Sequence, residues 1–304
     1  MKRAVSISLG SPKRDKKVIV HLKGADGKAV EISVERIGTG GDALAARHLF
    51  AELDGKVDAL SVGGIDLYVH LDGRDYPIRA ALKMVQDVHI TPLVDGRMLK
   101  YALEGRLVEL AQPLIGEWPR FQRAFVPFGT DRIGLISAVS AIADQVWIGD
   151  LMFMFGVPYP IRGLTQFKKL ARLLLPAVGF LPVSVLFPPG AKDEALHPKF
   201  ETIWRKSDLI AGDMHYIRKY SPQDLGGKVV ITNTTTEENV EMLRQRGVSK
   251  VLTTTPRYDG RSFGVNMMEA VLTAYAGKER PLTMAELNGL IDELQMRPHL
   301  ETLN

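Results

Sequence analysis

Residues 123–150 read RAFVPFGTDRIGLISAVSAIADQVWIGD, and their layout decides the fold. A short apolar strand, Ala124 to Phe128, runs into the loop Gly129, Thr130, Asp131, Arg132, Ile133, Gly134. A helical stretch follows, and then a second strand ending on Asp150. This is the layout of a dinucleotide-binding strand–helix–strand unit. Glycines let the backbone approach a pyrophosphate, and the helix N-terminus behind them offers unpaired N–H groups and a positive dipole end. An acid about 20 residues after the first glycine accepts hydrogen bonds from a ribose, and Asp150 lies 21 positions after Gly129. The middle glycine of the fingerprint is missing, with Asp131 in its place.

The strand–helix rhythm extends outward on both sides. Before the loop, AVSISLG, VIVHLKG and AVEISVERIG alternate as strands, with Gly24 to Gly27 as a hairpin loop between the last two. Asp42 caps a helix DALAARHLFAEL. Strand VDALSVGGIDLYV, helix PIRAALKMVQD, strand ITPLVDG and helix RMLKYALEGRLVELA come next. After the loop, strands at 207–213, 228–232 and 249–256 end on small and polar residues. Helices EENVEMLRQRG, VNMMEAVLTAYAG and 284–294 complete the chain. The expected fold class is α/β: an N-terminal α/β substrate domain (1–117), then a Rossmann-like parallel-sheet domain (118–278). A C-terminal helix, 279–304, is expected to return to the first domain.

Composition limits the function classes. Hydrophobic residues make up 45% and charged residues 24% of 304, an ordinary globular profile. Net charge is +4, with basic residues gathered at Lys2, Arg3, Lys13, Arg14, Lys16 and Lys17. No aromatic residues interleave them, so they read as a solvated loop and not as a nucleic-acid surface. The chain has no cysteine, which excludes disulfides, thiolate metal sites and thioester intermediates and suits a cytoplasmic location. The first 17 residues hold too short an apolar run for a signal peptide. Residues 170–187 are broken by Arg172, Pro176 and Pro182 and do not read as a membrane span. No metal is expected, because the seven histidines are scattered without an H-E-x-x-H pairing.

The segments SVGGIDLY, TPLVDG, GDLMF, AGDMHYIR, TNTTTEE and TTTPRYDGRSFG resemble those of bacterial quinate or shikimate 5-dehydrogenase-like sequences, nearly along the whole chain. The resemblance implies a substrate domain, a Rossmann domain, and a nicotinamide held near the strand SDLI at 207–210, Asn233 and its threonines, and Gly264 to Met268. The lysine motif and the Asn-Thr-Asp motif of shikimate dehydrogenases are not visible here.

Candidate site residues follow from these readings. Gly129, Thr130, Asp131, Arg132, Gly134 and Asp150 are the candidate cofactor cradle, with Arg132 able to pair with a phosphate oxygen. Asn233, Thr234 and Thr235 are candidates to orient a nicotinamide; threonines before Glu237 and Glu238 also suit a helix cap. An acid at 150 without an adjacent arginine favours NAD over NADP. Asp95 and Lys100 are candidates for proton transfer, as is His215 beside Asp213 and Tyr216. Asp66 and Arg261, with Arg257 and Asp259 in the same loop as Arg261, are candidates to hold the substrate.

The expected function is an NAD(P)-dependent oxidoreductase of a small hydroxy or keto acid. The alternatives are a Rossmann-like ligand-binding or regulatory protein without redox activity, and a reductase of an apolar substrate. The apolar 151–189 segment is expected to make a homo-oligomer contact or to cover a ligand.

Overall fold

The computed structural model describes residues 1–24, 27, 29–180, 196–255, 257, 258, 261, 262 and 264–304. Its described strands are β1 (Lys2–Ser8), β2 (Lys16–Lys23), β3 (Ala29–Gly38), β4 (Ala59–Gly63), β5 (Tyr68–Leu71), β6 (Arg74–Pro77) and β7 (Leu93–Val94). They continue with β8 (Phe121–Val126), β9 (Ala143–Ile148), β10 (Ile161–Arg162), β11 (Leu209–Ala211), β12 (Val229–Thr232) and β13 (Lys250–Thr253). The short β14 (Arg257–Tyr258) and β15 (Arg261–Ser262) precede a last strand, β16 (His299–Thr302). The helices are α1 (Ala43–Leu53), α2 (Arg79–Met84), α3 (Arg97–Gly105), α4 (Leu107–Ile115), α5 (Ile133–Ile142) and α6 (Asp150–Phe155). Then come α7 (Gly163–Val178), α8 (Glu201–Arg205), α9 (Met214–Tyr220), α10 (Glu237–Gln245), α11 (Val265–Ala276) and α12 (Met284–Glu293).

The chain divides into two compact units, and the division differs from the expected borders at 117 and 278. The first unit comprises Met1–Ala102, Leu174–Asp193 and Phe263–Met296; the second comprises Leu103–Leu173, Glu194–Ser262 and Arg297–Asn304. The largest correction concerns α11, expected in the Rossmann-like domain. Met267 to Ala274 are all buried, and the helix packs on β1, β3, β4 and β7 of the first unit. A helix apolar on nearly every side needs neighbours on every side, and the first sheet supplies them.

The first unit is built on a five-stranded sheet of order β2-β3-β1-β4-β7. β2 and β3 form the expected antiparallel hairpin, while β3, β1, β4 and β7 run parallel. Every residue of β4 is buried, as a central parallel strand covered on both faces requires. The single strand expected at 57–69 is broken: Gly63 ends β4, Gly64 turns with φ +81°, and Tyr68 begins a separate hairpin with β6. Asp42 caps α1 as expected, accepting from the Leu44 and Ala45 N–H groups at 2.9 Å. The basic N-terminal residues are not all loop: Lys2 and Arg3 lie in β1, and Lys16 and Lys17 in β2.

The second unit is built on a seven-stranded sheet of order β10-β9-β8-β11-β12-β13-β16. The five central strands are parallel, and the edge strands β10 and β16 are antiparallel. Counted along the unit, this order is 3-2-1-4-5-6 with one further edge strand, the doubly wound arrangement. Its order reverses between β8 and β11, which is where such sheets hold ligands beyond their carboxyl ends. Trp204 anchors one apolar cluster, crossing Phe125 edge-on at 5.0 Å while its indole N–H donates to the Lys199 carbonyl at 2.9 Å. Among the described residues no helix is long and apolar enough to cross a membrane.

Candidate functional site

The switch point of the second unit collects the loop that follows β8. Gly129 is buried because a Cβ there would stand 2.6 Å from Ile136 Cδ1 and 3.0 Å from Ile148 Cγ2, so glycine is needed for α5 to close on β9. Asp150 does not end β9 as expected; it opens α6 after Gly149, at 5% exposure. Its carboxylate turns back onto the loop. The Gly129 N–H donates to Oδ2 at 2.8 Å, the Thr130 N–H donates to Oδ1 at 2.9 Å, and the Thr130 hydroxyl also donates to Oδ1. Burial pushes the Asp150 carboxyl up to about 6, with the Asp131 charge adding to it and the three loop donors opposing.

Arg132 is likewise committed. Its Nη1 donates to Glu104 Oε1 and its Nη2 to Asp213 Oδ2 at 2.8 Å, while Asp131 stands 3.8 Å from Nε. The Arg132 and Glu104 side chains are only 4% and 2% exposed. Burial works against the guanidinium charge, but Glu104, Asp131 and Asp213 together outweigh it and hold Arg132 above its ordinary value. Asn233 completes the network by donating from Nδ2 to Asp213 Oδ2 at 2.9 Å. Asp213 also caps α9, accepting from the His215 N–H at 2.8 Å. His215 itself is exposed, and Tyr216 beside it stacks on Phe128 with ring centroids 5.1 Å apart. Thr234 and Thr235 are half-buried, and the next residue, Thr236, caps α10 by accepting from the Asn239 N–H at 3.2 Å.

A dinucleotide was expected here, and the donors do not fit it in the fingerprint manner. The loop N–H groups and the guanidinium intended for phosphate already meet carboxylates of the same unit. Three acids, Glu104, Asp131 and Asp213, surround Arg132, while a fourth, Asp150, takes the loop N–H groups. Gly134 lies buried in the first turn of α5, and α5 has no side-chain cap.

The carboxyl edge of the first sheet gathers a second group. Lys100 on α3 was expected to work with Asp95; instead its Nζ donates to Asp66 Oδ2 at 3.1 Å. Asp95, 7% exposed, is held by the Leu67 N–H at 2.8 Å and the Arg97 N–H at 3.1 Å, with Arg97 Nη1 at 3.5 Å. That separation follows from chain direction: Asp95 comes directly after β7, and the backbone turns away at Gly96, φ +87°, before α3 begins. Gly96 must be glycine, since a Cβ would stand 2.5 Å from the Asn266 backbone nitrogen. Arg97 reaches on to Asp75 at 3.2 Å, which in turn meets His70 Nδ1 at 2.7 Å.

Glu269 was absent from the sequence candidates. It is 2% exposed on α11, accepts from the Leu99 N–H at 3.1 Å, and so fixes the residue next to Lys100. Burial raises it to about 8, with Asp95 and Asp66 adding to that and Arg97 opposing. Its signal in the sequence is a lone charge inside VNMMEAVLTAYA. Asn266 on the same helix donates to Ser6 Oγ at 2.8 Å and contacts Ser61 Oγ at 3.4 Å. Arg257 and Arg261 lie in β14 and β15; Asp259 and both arginine side chains lie outside the described residues. Among the described residues no group of three or more His, Asp or Glu side chains is placed to hold a metal.

The fold is thus that of a mixed α/β protein with two parallel-sheet units, the second doubly wound. The chain belongs to the family described as Domain of unknown function (DUF8754), whose model matches residues 98–303. A second model, Domain of unknown function (DUF8753), matches residues 3–95. No curated protein matches the chain. Among solved structures, the hetero-hexameric glutamate dehydrogenase from Thermus thermophilus, in its Leu-bound form, is 14% identical. That match covers 93% of this chain and 81% of that one, with a TM-score of 0.42. A galactofuranose binding protein is 12% identical, covering 98% and 94%, with a TM-score of 0.34. A sugar-binding protein of a sugar ABC transporter from Bacillus halodurans is 11% identical, covering 91% and 87%, with a TM-score of 0.32.

Proposed function

We propose that the chain is an enzyme of proton transfer whose first unit holds a small hydroxylated or keto-acid substrate at Lys100 and Asp66. The observation that carries this reading is the Lys100 Nζ to Asp66 Oδ2 contact of 3.1 Å, its side chains 11% and 20% exposed, at the ligand edge of a parallel sheet. A substrate hydroxyl entering between them accepts from the ammonium and donates to the carboxylate. With a keto acid the ammonium donates to the carbonyl oxygen while the carboxylate takes the carbon-bound proton beside it, which gives the enol, and the reverse transfers restore the keto acid. Glu269 is a positioning residue: it anchors the Leu99 N–H and keeps the first turns of α3 where Lys100 meets Asp66. Small hydroxy and keto acids, screened by their effect on melting temperature, test this reading together with exchange into D2O of the carbon-bound proton beside the substrate carbonyl, which does not exchange rapidly unaided. Lys100→Met is expected to lower the exchange rate by about 10²–10⁴-fold. Equal rates in the variant and the wild type would refute the assignment.

A second reading is an NAD(P)-dependent oxidoreductase of quinate/shikimate dehydrogenase type, with NAD favoured. The strand order 3-2-1-4-5-6 of the second unit and the uncapped start of α5 support it; the commitments of Gly129, Thr130 and Arg132 oppose it. A melting shift with NAD(H) or NADP(H) separates the two readings. Phe155, Tyr159 and Leu173 are 62%, 74% and 75% exposed, which supports a homo-oligomer contact on this part of the second unit; sedimentation of a Phe155→Glu, Leu173→Glu variant tests it.

A further inference from the structure

The turn between β8 and α5 has the form of an anion site. Two consecutive N–H groups, from Gly129 and Thr130, point at one pair of oxygens, with the Thr130 hydroxyl beside them and an uncapped helix start behind. Such backbone concavities bind phosphate because several fixed dipoles converge where an anion can sit without reorganisation. In this chain the oxygens belong to Asp150, which reaches back from the first turn of α6. Both of its oxygens are used, and the carboxylate is 5% exposed, so an incoming phosphate has no share of these donors unless it displaces the side chain. The neighbouring cation offers no second route. Arg132 is held between Glu104 and Asp213 and is 4% exposed. Asp131 replaces the fingerprint's middle glycine and adds a further negative charge at the mouth of the turn.

We propose that Asp150 is the built-in occupant of the second unit's phosphate position, so that this crossover takes no dinucleotide while its own carboxylate is in place. The acid that spacing assigns to a ribose acts instead as an internal counterpart of the pyrophosphate. The fold keeps the dinucleotide architecture and closes it from within.

The inference is independent of the Lys100 reading, whose tests read the first unit only. It is tested on the full-length protein with inorganic pyrophosphate, ADP and NAD(H) as probes, following the ¹⁵N–¹H signals of Gly129 and Thr130 and the melting temperature. In the wild type, millimolar probe is expected to leave both amide signals and the melting temperature unchanged. The two signals should move together as pH passes through the range in which Asp150 titrates. Asp150→Ala frees both amides, and pyrophosphate and ADP are expected to bind it at least about tenfold tighter than the wild type and to raise its melting temperature. Asp131→Gly restores the fingerprint glycine but leaves Asp150 in place, and is expected to gain no binding. The proposal is overturned if the wild type binds ADP or NAD(H) with the two amides shifting, if Asp131→Gly alone gains binding, or if folded Asp150→Ala gains none. Should Asp150→Ala fail to fold, the wild-type amide titrations decide alone. Amides that ignore the Asp150 titration, or that respond to ADP, then refute it.

Discussion

Replacing Arg132 with methionine removes one charge from the most buried ion network of the second unit. Methionine keeps much of the side chain's length and apolar contact, so the loss falls on electrostatics and not on a cavity. Glu104, 2% exposed, and Asp213, 28% exposed, then lose the cation that meets both. Breaking a buried pair by deleting one partner costs about 3–5 kcal/mol, because the remaining charge keeps its desolvation penalty without the attraction that offset it. The upper part of that range applies to Glu104, since solvent cannot screen it. For a unit of this size each kcal/mol moves the melting temperature by roughly 2–4 °C, so Arg132→Met should melt about 6–20 °C below the wild type. Urea unfolding monitored by circular dichroism gives the free energy, and Glu104→Gln in the Arg132→Met background supplies the check. With the carboxylate that faced Arg132 neutralised, the double variant should recover about 1–3 kcal/mol of what the single variant lost. A single-variant loss below about 1 kcal/mol, or a double variant whose losses simply add, would refute the network's role.

Three further outcomes are expected. Glu269 is raised in the folded chain from 4.5 to about 8, so the stability linked to it is fully present below about 4.5 and is lost as pH rises through 8. Glu269→Gln should remove that decline, and a variant whose stability falls as steeply between those pH values would contradict it. Gly129→Ala drives a methyl to within 2.6 Å of Ile136 Cδ1 and should destabilise the second unit by about 1–3 kcal/mol, read by the same urea titration. Asp66→Asn should weaken binding of an oxygen-bearing substrate and slow exchange to the same extent as Lys100→Met, while leaving the melting temperature within a few degrees. Unequal effects would mean that the two side chains do not act as a pair.

Much of the architecture was legible because it is written in local pattern. The alternation in 29–38, the Asp42 cap and the loop spacing from Gly129 to Asp150 each mark an element from within one short window. The edge strands β10 and β16 were missed, being two and four residues long with no apolar run to announce them. The site was legible as a set of residues and not as a set of pairs. Lys100 was assigned to Asp95, five positions away, whereas its partner Asp66 lies 34 positions away across the sheet edge. Glu269 stands 170 positions from the Leu99 N–H it anchors, and only tertiary packing brings them together. At Asp150 the spacing marks the residue but does not give the direction of its carboxylate. Reach along the chain is the same whether an acid faces a ribose or its own loop; the Thr130 hydroxyl and two N–H groups decide between them.

Each unit is assembled from three separated segments, alternating along the chain. No single cut therefore separates the two units: expression of 1–102 alone would leave the first sheet without α11, and 103–304, which holds every segment of the second unit, would still carry two stretches of the first. β13 keeps an open edge until His299–Thr302 pair with it antiparallel, and the first sheet lacks α11 until residues 265–276 have been made. Native contacts are consequently far apart in sequence, a topology associated with slow folding and a prolonged exposure of unpaired strand edges. Growth from the N-terminus cannot finish one unit before starting the other, so the two are expected to mature together, late, and with a greater demand on chaperones than two consecutive domains of the same size would make.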